Sequence, residues 1–145
     1  MPDADLLDAR LESLRRCLRR IQEKTPPSAP ALIRDYDAQD IVSVNLQRAV
    51  QICVDLGSHL IASRGWPAPS TMADTFVVLS TRQVLDPGLA ERLQRAVGFR
   101  NVAVHEYDAI DWERVFRLVQ TSLDDFRSFA AAIVNAWNPR QADSV

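Results

Sequence analysis

Apolar residues recur at intervals of three and four along most of the chain, which is the spacing of an amphipathic α-helix. The first stripe consists of Leu7, Leu11, Leu14, Leu18 and Ile21. Asp3 or Asp5 can cap its start, and Pro26-Pro27 ends it. Arginines surround this stripe and are most simply a solvated face, with attraction of phosphate as the second interpretation: Arg10, Arg15, Arg16, Arg19 and Arg20.

A second and wider stripe predicts a long helix from about Asp37 to Arg64. Its apolar positions keep the same spacing: Val42, Leu46, Ala49, Cys53, Leu56 and Leu60, with Ile41, Ile52 and Ile61 beside them. A stripe of this width is typical of a helix packed against two neighbours. The preceding segment, Pro26 to Pro30, is predicted to be a loop. Gly65-Trp66-Pro67 ends the helix, with glycine at the C-cap and proline after it.

Three more helices are predicted towards the C-terminus, the first of them short and centred on Phe76 to Leu79. Each start carries capping residues: Ser70 or Thr71 with Asp74, then Asp86-Pro87-Gly88, then Asp111. Asn138-Pro139 ends the last helix. No stretch alternates strictly between apolar and polar residues, so no strand is predicted. The chain is therefore predicted to be all-α, an up-and-down four-helix bundle with one short extra helix.

Length and composition are those of one globular domain. The 145 residues are 47% hydrophobic and 25% charged, and we expect a single domain over 1–145 with its core at about 5–137. No apolar run reaches about 18 residues and no signal peptide is visible, so we expect a cytoplasmic protein without a membrane partner. The net charge of -2 argues against a broad nucleic-acid-binding surface.

Few residues are suited to metal or cofactor binding. Neither His59 nor His105 has a glutamate three residues before it, which excludes the di-metal carboxylate pattern. Cys17 and Cys53 form no Cys-x-x-Cys pair and are expected to be reduced thiols. No glycine-rich phosphate-binding motif is present. We therefore predict no metal and no cofactor, and we expect His59 to be partly buried and paired with Asp55 one turn earlier.

The segment Gly98 to Asp108 carries the groups best suited to chemistry. It places a guanidinium (Arg100), an imidazole (His105) and a phenol (Tyr107) within eight residues at a helix C-terminal end. Asn101 and His105 share a helix face. A guanidinium can hold a phosphate, and an imidazole can take a proton from a ribose 2′-hydroxyl or give one to a leaving 5′-oxygen. These groups suffice for RNA cleavage without a metal.

Cleavage by this motif would need a second histidine, and the motif also has a structural interpretation. One histidine cannot easily be both base and acid in the same step, so two copies of the motif across a dimer interface would serve better. The alternative is purely structural: Arg100 pairs with Glu106 or Asp108, and His105 is a cation at the helix C-terminus.

The spacing of Arg100, His105 and Tyr107 resembles the signature of HEPN-domain ribonuclease toxins. More closely, the chain resembles the HepT family of type VII toxin–antitoxin systems. The resemblance extends from about Leu6 to Ile133 and includes these blocks: 45–52, 55–62, 76–79, 97–101 and 123–126.

This resemblance implies a homodimeric helical bundle whose two motifs face one composite cleft, where RNA, with tRNA as one candidate, is cut without metal. It assigns Arg100 to the scissile phosphate, His105 to general acid/base catalysis and Asn101 to orienting the site. It makes Tyr107 the tyrosine to which a minimal nucleotidyltransferase antitoxin attaches AMP. Additional phosphate contacts are expected from two arginines on the same helix, Arg92 and Arg95.

Two other functions are also consistent with the sequence. The first is a non-catalytic docking or substrate-binding subunit of a nucleotidyltransferase. The second is a purely structural helical dimer, which would require the region from Arg100 to His105 to be buried and paired.

Overall fold

A computed structural model describes residues 4–137, and within that range all regular structure is helical. The elements are α1 (Ala4–Lys24), α2 (Ala29–Arg34), α3 (Tyr36–Ser63), α4 (Met72–Thr81), α5 (Pro87–His105), a one-turn 3-10 helix (Tyr107–Ala109) and α6 (Trp112–Trp137). The predicted all-α class and the four long helices are confirmed. Asp3 and Asn138-Pro139, which the sequence assigns to helix ends, lie outside the described residues.

A second short helix, α2, begins at Ala29, inside the predicted loop of residues 26–30, and continues to Arg34, so the bundle carries two short helices rather than one. Ser28 caps it, because its hydroxyl oxygen accepts the backbone N–H of Ala31 at 3.2 Å. Pro30 lies in its first turn, where a missing N–H removes no helical hydrogen bond. Six residues are too few to show helical periodicity, which is why the pattern missed them.

Three of the predicted N-caps are present, whereas Asp5 lies inside the first turn of α1 and does not cap it. Side-chain oxygens of Thr71, Asp86 and Asp111 accept backbone N–H groups of the following turns at 3.0 to 3.3 Å. Gly65 follows α3 with a φ of 68°, a left-handed conformation that costs glycine little. These residues set the ends of the helices and therefore the places where the chain turns.

The core surrounds α3, which packs against every other α-helix in the described range. The predicted apolar stripes of α1 and α3 are buried almost without exception. Between α4 and α6, the rings of Phe76 and Phe129 meet edge to face with 5.8 Å between centroids. Cys17 and Cys53 are buried free thiols. No helix in residues 4–137 is long and apolar enough to cross a membrane.

Candidate functional site

The motif identified in the sequence lies where α5 ends and the chain reverses towards α6. His105 is the last residue of α5, and Glu106 leaves the helix with φ -141° and ψ 54°. Tyr107 then begins the 3-10 turn, which is closed by a 3.2 Å bond from the backbone N–H of Ile110 to the carbonyl oxygen of Tyr107. The imidazole and the phenol therefore project from two different local structures at one end of the bundle.

Arg100 is half-buried one and a half turns before the end of α5. Its Nη1 donates to Asn101 Oδ1 at 3.4 Å, and it has no ion pair among residues 4–137. The alternative pairing of Arg100 with Glu106 or Asp108 is not observed. The guanidinium therefore retains donors for an external anion such as a phosphate.

His105 is exposed and has no hydrogen-bond partner in the part of the chain that the structure describes. Its position in the last turn of α5 also suits a cation that offsets the negative end of the helix dipole. A purely structural role for the motif required burial and pairing of this region. The exposure of His105 and the unpaired Arg100 do not meet that requirement.

Tyr107 has the most specific surroundings of the four candidate residues. Its hydroxyl donates to Asp40 Oδ1 of α3 at 2.6 Å, and its ring meets Trp112 edge to face at 6.0 Å. Burial, the hydrogen bond to Asp40 and the negative charges of Asp40 and Asp108 raise the pKa of Tyr107 to about 12. The side chain is still 41% exposed, so its hydroxyl group lies at the surface.

Asp40 is the site residue that the sequence analysis missed. It precedes Tyr107 by 67 residues and comes from a different helix, so no local spacing connects the two. Only the packing of α5 against α3, with the 3-10 turn held at the end of α5, brings them together.

The two arginines expected to supplement phosphate binding both form ion pairs. Arg92 Nε forms a 2.9 Å ion pair with Asp125, and Arg95 pairs with Glu91 at 2.7 Å. Arg95 also lines the groove between α5 and α6 beside the motif, so its contribution to phosphate binding stays a prediction.

His59 lies apart from the motif. It is 19 residues further along α3 than Asp40, which corresponds to about 28 Å along the helix axis. Its ring stacks on Trp137 with 5.3 Å between centroids. The expected pair with Asp55 is not formed, because the carboxylate of Asp55 accepts Gln51 Nε2 at 2.9 Å instead. His59 is partly buried, as expected, but aromatic stacking is what holds it.

A groove of about 740 Å³ runs between α5 and α6 beside the motif. Gly98 and Val102 line it from the face of α5 that also carries Asn101 and His105, and Arg114 lines the α6 side. Residues 4–137 contain no group of three or more His, Cys, Asp or Glu side chains arranged to hold a metal ion.

Comparison with known proteins identifies the family. A family model described as Ribonuclease HepT-like matches residues 14–133. The mRNA nuclease HepT of Shewanella oneidensis is 30% identical over 129 residues, which cover 89% of this chain and 96% of that protein. The tRNA nuclease HepT of Aphanizomenon flos-aquae is 27% identical over 128 residues, covering 88% and 87%.

The solved structures agree with this result. The tri-AMPylated HEPN toxin of Shewanella oneidensis, in complex with MNT antitoxin, matches with a TM-score of 0.84 and 30% identity. The match covers 92% of this chain and 98% of that toxin. Since the family model spans most of the sequence, this chain belongs to the HepT-like ribonuclease family.

Proposed function

We propose that the chain is the toxin of a toxin–antitoxin pair and cleaves RNA endonucleolytically without a metal ion, using Arg100 and His105. The observation that carries this proposal is an exposed imidazole and an arginine without an ion pair at the same end of α5, within residues 4–137. The two relatives named above are nucleases of mRNA and of tRNA. We therefore propose RNA as the substrate class, with tRNA as one candidate.

The chemistry is an internal transesterification. His105 takes the proton of a ribose 2′-hydroxyl, and the 2′-oxygen attacks the adjacent phosphorus. The bond from phosphorus to the 5′-oxygen breaks, and that oxygen takes a proton from an imidazolium. Arg100 offsets the charge that develops on the phosphoryl oxygens, and Asn101, which already contacts Arg100, orients the guanidinium.

The base and the acid act in the same step, so the proposed site contains His105 from each of two copies in one composite cleft. Exposed apolar side chains near the motif support a second copy at this face. Val104 adjoins His105, and Tyr36 lies one turn before Asp40; they are 46% and 75% exposed. Apolar side chains grouped in this way are typical of protein–protein contacts.

The proposed off-switch is AMP attached to Tyr107 by a partner nucleotidyltransferase antitoxin. The tyrosine oxygen attacks the α-phosphorus of ATP, pyrophosphate leaves, and the phenolic proton is released. The Shewanella oneidensis toxin is tri-AMPylated in its complex with MNT antitoxin, which supports this step. The added phosphate would lie against the Asp40 carboxylate, break the 2.6 Å hydrogen bond and place an anion two residues from His105.

Cleavage is tested by incubating the purified protein with total RNA in excess chelator. We expect cleavage by the parent protein and a loss of about 10²-fold or more in His105→Ala, because general acid/base catalysis contributes about 10²–10⁴-fold. His59→Gln changes the other histidine and is expected to retain activity. Full activity in His105→Ala, with unaltered helix content in all three proteins, would overturn the proposal.

Modification is tested by intact mass after incubation with the antitoxin and ATP. We expect additions of AMP to the parent and to Tyr36→Phe, and none to Tyr107→Phe. An unchanged mass gain in Tyr107→Phe would place the acceptor elsewhere. AMP transfer to a protein that never cleaves RNA would favour the alternative function, a non-catalytic docking subunit of the nucleotidyltransferase.

A further inference from the structure

The arginines of α1 fall on two faces that differ in their partners. Arg15 and Arg19 point outward and pair with Glu12 at 3.2 and 3.7 Å. Arg16 and Arg20 lie on the side that faces α3 and have no ion pair among residues 4–137. Part of the charge run is therefore ion-paired, and the part beside α3 has no ion pair among residues 4–137.

A third arginine joins this uncompensated pair across a groove of about 380 Å³ between α1 and α3. Arg48 lines the α3 side and likewise has no ion pair in the described range. Burial raises the pKa of the Cys17 thiol, but the charges of Arg48 and Arg16 lower it, so both guanidinium groups lie near the same point. Ile41, Val44 and Asn45 line the rest of the α3 side, and we call this site the arginine groove.

One residue, Asp40, connects the arginine groove to the candidate active site. Asp40 lines the groove and also accepts the hydroxyl of Tyr107 at 2.6 Å. Among the lining residues within 4–137, Asp40 is the only acidic one, and its carboxylate already has this hydrogen bond. Tyr107 therefore contacts one residue that lines the groove, and His105 precedes Tyr107 by two residues.

We propose that the arginine groove binds backbone phosphates of the single-stranded RNA substrate next to Tyr107; this inference rests on the proposed ribonuclease function. Guanidinium groups bind phosphate oxygens in a planar, bidentate manner and carry their charge at every relevant pH. Three arginines outweigh the one carboxylate, which creates a local positive field on a chain whose net charge is -2.

The position of the groove also explains how a modification of Tyr107 would act. Tyr107 contacts Asp40, which lines the groove, so RNA that extends from the groove to His105 would run beside Tyr107. An adenylate on Tyr107 would occupy that passage and bring its own phosphate towards the same arginines. Modification would therefore weaken RNA binding as well as cleavage.

The test measures RNA binding without cleavage, in the His105→Ala background. A fluorescent single-stranded RNA of about 12 nucleotides is titrated at several salt concentrations and followed by anisotropy. One variant carries Arg16→Gln, Arg20→Gln and Arg48→Gln. The matched control carries Arg15→Gln, Arg19→Gln and Arg127→Gln, three exposed arginines that are all ion-paired. Both variants lose the same formal charge.

We expect the groove variant to bind the RNA about tenfold more weakly or worse. The slope of log K against log salt should fall by about 2, because three phosphate contacts are lost and each contributes about 0.7 for a single strand. The control should bind within about twofold of its parent. Lysine at the same three groove positions should restore most of the slope, which a misfolded protein would not show. Equal losses in both triple variants, or no loss in the groove variant, would overturn the inference.

The same proteins separate this inference from the proposed function. If the protein with His105 intact never cleaves RNA, yet binding depends on the groove, the proposed function fails and the groove stands. If the protein with His105 intact cleaves equally well with and without the three groove arginines, the groove assignment fails and the proposed function stands.

Discussion

The hydrogen bond between Tyr107 and Asp40 ties the turn after α5 to α3, and its removal is the most direct structural perturbation of the site. At 2.6 Å, with an ionised acceptor, it is a charge-assisted bond, which contributes about 1.5–3 kcal/mol when shielded from water. Tyr107 is 41% exposed and Asp40 is exposed, so solvent competes for both groups. We expect a coupling energy of about 0.5–1 kcal/mol.

The assay is a double-mutant cycle in urea. Equilibrium unfolding at pH 7 compares the parent with Asp40→Ala, Tyr107→Phe and the double variant. The coupling energy is the difference between the stability change of the double variant and the sum of the two single changes. Asp37→Ala, which removes another exposed carboxylate from the first turn of α3, serves as the control and should show no coupling to Tyr107→Phe. A coupling energy indistinguishable from zero for the Asp40 cycle would refute the reasoning.

The pH dependence gives a second check on the same bond. The pKa of Tyr107 is raised from 10.0 to about 12 in the folded protein, so the folded state holds the phenolic proton more tightly than the unfolded state. The resulting stabilisation is complete below about pH 10 and is lost as the pH rises towards 12. The coupling energy should therefore be smaller at pH 11 than at pH 7, and an equal or larger value would contradict this assignment.

Two further predictions concern packing. Gly57→Ala should lower the free energy of unfolding by about 1 kcal/mol in urea titrations, because the new Cβ would lie 2.8 Å from Thr75 Cγ2 and overpacking outweighs the gain in helix propensity. Gly98→Ala should raise the free energy of unfolding by about 0.8–1 kcal/mol, since nothing lies within 4 Å of a Cβ added at this position. If both variants changed the free energy of unfolding in the same direction, the packing described would be contradicted. Cys17 and Cys53 should not react with a thiol reagent until the protein is unfolded, because both are buried and burial raises the pKa of each; rapid native-state labelling would refute this.

The long helices were predictable because their information is local. A stripe every three to four residues, an oxygen-bearing side chain at the start and a glycine or proline at the end are all readable in one window of sequence. Asp86 and Gly65 show this directly, since Asp86 caps α5 and Gly65 follows Arg64, the C-cap of α3, in the left-handed conformation. The helix α2 was missed because six residues contain no full stripe, and prolines are equally consistent with a loop.

The site likewise contains residues that local sequence could identify and one residue that it could not. Arg100, His105 and Tyr107 lie within eight residues, so their residue types and spacing could be recognised together. Asp40 could not be found, because its contact with Tyr107 depends on how α3 packs beside the end of α5. The charge run of α1 was visible, but which of its arginines turn towards α3 depends on the rotation of the helix in the bundle.

The proposed composite cleft, with His105 from two copies acting on one phosphate, is tested most directly by mixing subunits. Parent protein and His105→Ala are combined in equal amounts, allowed to exchange subunits, and assayed for RNA cleavage at constant total protein. If both histidines are needed, only about one quarter of the randomly paired dimers are active, so activity should fall to about a quarter of that of the parent. Activity of about one half would show that each copy acts alone and would contradict the composite site.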